Sequence, residues 1–102
     1  RRTFVPSGMV DDVVKALAKR LGTTMVGDPS VDGVRMGPLA GRSQVREVGK
    51  ALDRLKGDAE LVFGGGDFAP VGADRERGAF FPITLLYNDR PHDRTTAHDV
   101  EA

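Results

Sequence analysis

Short runs of β-forming residues alternate with two amphipathic helical stripes, and glycine- and proline-rich connectors separate them. Together these observations predict an α/β fold in which helices cover a largely parallel sheet. Three or four strands and two main helices make a small version of that plan, one that leaves a sheet edge and apolar faces for neighbouring chain to cover. At 102 residues the chain is sized for one domain with a modest core.

Each element has a local reason. Thr3-Phe4-Val5 is a run of β-formers stopped by Pro6-Ser7-Gly8, which suits one buried strand leading into a helix. Val10, Val13, Val14, Leu17 and Leu21 then recur at helical spacing. Asp11 and Asp12 fall in the first turn and Lys19 and Arg20 in the last, as the helix dipole favours, with Ser7 expected as N-cap and Gly22 as the residue just past the end. Residues 23–26 read as a short extended piece. Residues 26–39 form the most legible connector, in which Asp28-Pro29 and Asp32-Gly33 are turn signals, so this loop is expected to be ordered.

A second helix is expected over 43–56, with Val45, Val48, Leu52 and Leu55 on one face and Gly57 placed to end it. Gly49 inside that pattern costs about 1 kcal/mol relative to Ala, which suggests a tightly packed neighbour. Residues 59–63 read as a strand running into Gly64-Gly65-Gly66, and residues 67–78 as a polar, freely variable surface loop. The most apolar segment, residues 79–87, reads as a strand that Pro82 confines to an edge or to an interrupted start. Asn88-Asp89-Arg90-Pro91 turns the chain, and the polar residues 92–102 follow.

Composition excludes several classes. Lys plus Arg number 15 and Asp plus Glu 15, so no basic field is available for nucleic acid or anionic lipid. No apolar run approaches a membrane span. Without cysteine, disulfides, thiolate catalysis and cysteine-based metal sites are absent from these residues, and the cytoplasm is the default compartment. The chain starts Arg1-Arg2-Thr3-Phe4 and stops at Val100-Glu101-Ala102, so both ends read as cut from something longer.

The chemistry-bearing patterns are incomplete. Gly64-Gly65-Gly66 follows a strand but precedes neither a helix nor a Gly-Lys-Ser/Thr sequence, so it reads as a turn rather than a phosphate loop. His92-Asp93 and His98-Asp99 hold ligand-type side chains at a spacing that matches no standard metal site, and they read as solvated surface. Ser7, Ser30 and Ser43 stand at capping or loop positions, so no Ser-His-Asp set assembles. Arg1 and Arg2 could meet an anion but read as solvated or paired with carboxylates. The residues alone therefore describe an α/β domain without a complete active site.

The order of pieces carries more. Arg1-Arg2-Thr3-Phe4-Val5-Pro6, then Val26-Gly27-Asp28-Pro29 with Met36-Gly37-Pro38-Leu39, then Val62-Phe63-Gly64-Gly65, then Gly78-Ala79-Phe80-Phe81-Pro82-Ile83-Thr84-Leu85 resembles the catalytic domain of the NAD(P)-dependent aldehyde dehydrogenase superfamily. The resemblance runs through essentially the whole chain. The wording of residues 78–102 is most similar to the dehydrogenase part of the bifunctional ring-opening enzymes of phenylacetic acid degradation.

That resemblance implies an oxidoreductase that converts an aldehyde, of the CoA-linked semialdehyde class, to the acid with NADP or NAD. It also implies a cysteine nucleophile upstream of the position of Arg1 and a general-base glutamate further upstream, which leaves this chain alone inactive and no catalytic residue within it. Glu101 matches the glutamate of the family that accepts hydrogen bonds from the nicotinamide-ribose hydroxyls, with Val100 in place of the acid often found before it. The implied partners are the remainder of the parent polypeptide, the aldehyde substrate and further copies of a homo-oligomeric parent. Two other readings stand beside this one: a free-standing α/β protein-interaction module and a dehydrogenase for a simple short aldehyde.

Overall fold

The computed structural model describes residues 2–90. Helix α1 spans Val10–Gly22, strand β1 Met25–Val26, strand β2 Val34–Met36, helix α2 Arg42–Leu55, strand β3 Glu60–Gly64 and strand β4 Thr84–Tyr87. The expected stripe of α1 is all half-buried, and its charged ends fall as the sequence places them. Its caps differ from expectation. Ser7–Met9 forms a 3-10 turn ahead of the helix, Met9 is the N-cap, and no side chain caps it. Gly22 lies within the helix, because the hydroxyls of Thr23 and Thr24 donate to the Arg20 carbonyl at 2.9 and 3.1 Å and satisfy the helix end instead.

Residues 3–5 form no strand, and Phe4 is 80% exposed. A strand needs a partner ladder, and none reaches this segment among the described residues. The reverse error occurs at Val34–Met36, where the expected loop contains a strand. Two successive turns, with Val31 N–H donating to the Asp28 carbonyl at 3.0 Å and Val34 N–H to the Val31 carbonyl at 3.3 Å, reverse the chain twice and return it parallel to β1. Met25 then pairs with Val34 and Val26 with Met36.

A largely parallel sheet is not what the described residues form. They hold two two-stranded sheets, β1–β2 parallel and β3–β4 antiparallel. A parallel return from β3 needs a crossover, usually helical, whereas the connection from β3 to β4 is irregular and brings the chain back antiparallel. Glu60 pairs with Tyr87 and Leu61 with Leu86, and a bulge at Val62 shifts the register so that Phe63 meets Leu85. Gly64 and Gly65 leave this ladder at φ +73° and +77°, a left-handed turn that side chains other than glycine rarely adopt. Strand β4 begins two residues after Pro82, as the missing amide of that proline requires.

The core is small: among the described residues Val26, Leu52 and Phe80 are the buried hydrophobics, and no side chain is fully buried. Leu52 comes from the apolar face of α2, while Val48 on the same face is 39% exposed. The neighbour expected at Gly49 is absent among the described residues, since a Cβ there meets nothing within 4 Å. Gly27 is the opposite case. A Cβ at Gly27 would overlap the backbone of Val71, to which this segment is bridged in parallel.

Two substitutions therefore separate in sign. Gly27→Ala is expected to destabilise by about 2–4 kcal/mol, because backbone has to move. Gly49→Ala is expected to stabilise by up to about 1 kcal/mol, because only helix propensity changes. Thermal or urea melts of both variants check the pair, and equal effects would contradict this packing.

Candidate functional site

The chain is assembled around the loop between β1 and α2. Val71 N–H donates to the Val26 carbonyl and Asp28 N–H donates to the Val71 carbonyl, each at 2.9 Å. Gly27 N–H donates to the Met36 carbonyl at 3.0 Å, and Leu39 N–H donates to the Ala79 carbonyl at 2.8 Å. The segment expected to vary freely, residues 67–78, thus supports the ordered loop. An isolated β-branched residue, Val71 between Pro70 and Gly72, was the only signal of that role in an otherwise polar stretch.

Asp28 fixes the first turn of the loop. Its Oδ1 accepts from Ser30 N–H at 2.9 Å and from Ser30 Oγ–H at 2.8 Å. The Ser30 backbone amide first, and its hydroxyl second, hold the carboxyl below the ordinary carboxylate pKa, against a small opposing effect of desolvation. Ser30 is thereby committed to structure, Ser7 lies in the 3-10 turn and Ser43 in the first turn of α2. Both histidines of the chain, His92 and His98, lie outside the described residues.

Two hollows open beside this frame. A cleft of about 450 Å³ lies between the end of α1, β1 and the β3 turn, lined by Leu21, Val26, Phe63, Phe68, Val71 and Ile83 among others. A second cavity of about 360 Å³ lies between α2 and the 67–80 segment, lined by Arg42, Val45, Arg46, Asp67, Arg75, Glu76, Gly78 and Phe80. Gly64-Gly65-Gly66 ends β3 in an irregular segment with no helix after it, so it offers no helix-terminal phosphate cradle. No group of three or more metal-ligating side chains gathers among the described residues. Arg1, His92, Asp93, His98, Asp99 and Glu101 lie outside the described residues. No helix among those described is long and apolar enough to cross a membrane.

Comparison with known proteins identifies the class. Residues 1–100 match the profile described as the aldehyde dehydrogenase family, and the chain belongs to that family. It is 39% identical over 102 residues to a 3,4-dehydroadipyl-CoA semialdehyde dehydrogenase from Aromatoleum evansii, covering 99% of this chain and 20% of that protein. The chain therefore spans about a fifth of the length of that relative. Among solved structures it resembles a mutant aldehyde dehydrogenase C from Pseudomonas syringae complexed with NAD+ and octanal, at 29% identity and TM-score 0.68 over 80% of this chain and 16% of that one. An oxidoreductase from Marinobacter aquaeolei matches at 32% identity and TM-score 0.64, over 81% of this chain and 16% of its own.

The lowered pKa of Asp28 gives a pH dependence with a definite sign. A carboxyl whose folded pKa is depressed contributes stability that is present above its unfolded pKa and lost as pH falls through the folded one. The difference in melting temperature between the unsubstituted protein and Asp28→Ala is expected at neutral pH and should narrow below about pH 4. A difference that stays constant down to pH 2 would show that the carboxylate charge plays no part in holding the turn.

Proposed function

We propose that this chain is one segment of the catalytic domain of a cytoplasmic, homo-oligomeric aldehyde dehydrogenase, and that the parent protein oxidises a CoA-linked semialdehyde of phenylacetate degradation. The observation that carries the reading is the match of nearly the whole chain to a relative named for a CoA semialdehyde. In the balanced reaction aldehyde, water and oxidised nicotinamide nucleotide give acid, reduced nucleotide and a proton. The hydride leaves the substrate carbon for the nucleotide, NADP or NAD, and the acid gains the water oxygen.

The chain contributes the frame and not the nucleophile, since it has no cysteine. Glu101 is the residue assigned to the cofactor, as an acceptor for the nicotinamide-ribose hydroxyls. A simple aldehyde is the second reading, supported by the similarity to a dehydrogenase solved with octanal.

Full-length protein, assayed for nucleotide reduction with both aldehyde classes, tests the proposal. The CoA-linked semialdehyde should exceed a simple aldehyde in kcat/KM by at least about tenfold, a difference on the order of 1.4 kcal/mol. Equal or reversed values favour the simple-aldehyde reading, and no reduction with either class overturns both. Glu101→Gln should raise the KM for the nucleotide by about tenfold with the melting temperature unchanged. An unchanged KM would remove Glu101 from the cofactor site.

A further inference from the structure

The polar cavity between α2 and the 67–80 segment carries more positive charge than its surroundings neutralise. Arg42 and Arg46 are one turn apart on α2, so both leave the same helix face, where like charges repel. Arg75 faces them across the cavity. Asp67 and Glu76 are the carboxylates in the lining. Arg75 takes Asp67 at 3.5 Å, donates to the Gly66 carbonyl at 3.3 Å and is steadied over the Phe68 ring at 4.7 Å from its centroid. Arg42 donates to the backbone carbonyl of Glu76 and forms no ion pair among the described residues. The Arg46 guanidinium makes no hydrogen bond or ion pair among the described residues.

The first turn of α1 carries Asp11 and Asp12, whereas the first turn of α2 has no acidic residue and starts with Arg42, at the end where the dipole disfavours a cation. In a chain of net charge zero this is a local concentration of guanidinium groups over an apolar floor of Val45 and Phe80. Planar guanidinium forks suit phosphate oxygens, and a volume of about 360 Å³ admits a phosphate group with its ester substituents.

We propose that Arg42, Arg46 and Arg75 form a binding site for the phosphate-bearing arm of an acyl-CoA substrate, with Arg46 as the cation of the three that no group among the described residues engages. The proposal rests on the CoA-linked reading above. Phosphate chemistry also occurs in the diphosphate of NAD and NADP and in the extra phosphate of NADP, so the experiment has to separate the substrate from the nucleotide.

Full-length Arg46→Ala and Arg46→Lys proteins, assayed against a CoA-linked semialdehyde, a CoA-free aldehyde, NAD and NADP, make that separation. Arg46→Ala should raise the KM for the CoA-linked substrate about tenfold with kcat unchanged, and Arg46→Lys should recover part of the loss. The KM for the CoA-free aldehyde and for both nucleotides should not move. A KM change confined to the nucleotides, whether NADP alone or NAD and NADP together, would assign the cavity to the nucleotide and overturn the proposal. Turnover of the CoA-linked substrate with unchanged KM in Arg46→Ala defeats the site alone, whatever happens to the melting temperature. If the unsubstituted protein turns over only CoA-free aldehydes, the underlying reading fails, and the site with it.

Discussion

Two backbone hydrogen bonds, Val71 N–H to the Val26 carbonyl and Asp28 N–H to the Val71 carbonyl, hold the described chain in its arrangement. They pass on either side of Gly27 and bring the backbones of two distant segments so close that no Cβ fits between them. Buried hydrophobic surface is limited to a few side chains, so ordering cannot come from a large core. Instead, backbone donors and acceptors of the 26–39 loop find partners in β2, at Val71 and at Ala79, and the loop becomes a fixed junction between α1, α2 and the strands. Asp28 completes the junction by closing its first turn onto Ser30.

The helices were legible in the sequence because their signal is periodic and local. The spacing of Val10, Val13, Val14, Leu17 and Leu21 defines the α1 stripe, and the α2 pattern predicted a helix within a residue of its observed ends. Strands were harder, because a strand exists only with a partner. Thr3-Phe4-Val5 has strand-forming side chains but no ladder, whereas Val34–Met36 sits in turn-rich sequence and gains one from β1. The sense of pairing was not legible either. It depends on the path of the connection between β3 and β4, and an irregular segment carries no periodic signal of direction.

Gly49 and Gly27 show how far a glycine can be read. Gly49 looked like a site of close packing, yet among the described residues it is Gly27 that has the close neighbour, a backbone 44 residues further along the chain. The candidate site divides in a similar way. The motif order that signals the family depends on glycines and prolines that set turns, so it was readable without a structure. The arginine cavity was not, because Arg42 and Arg75 become neighbours only through the fold. A loop read as free surface thus supplies both a structural bridge, at Val71, and one wall of a charged cavity, at Arg75.

The Gly27–Val71 bridge orders the junction on which the helices and the charged cavity are built. Hydrogen exchange of backbone amides in the full-length protein tests this role most directly. The Val71 and Asp28 amides should exchange as slowly as those of the β3–β4 ladder, despite lying in irregular chain. Exchange at the rate of unprotected surface amides would contradict it.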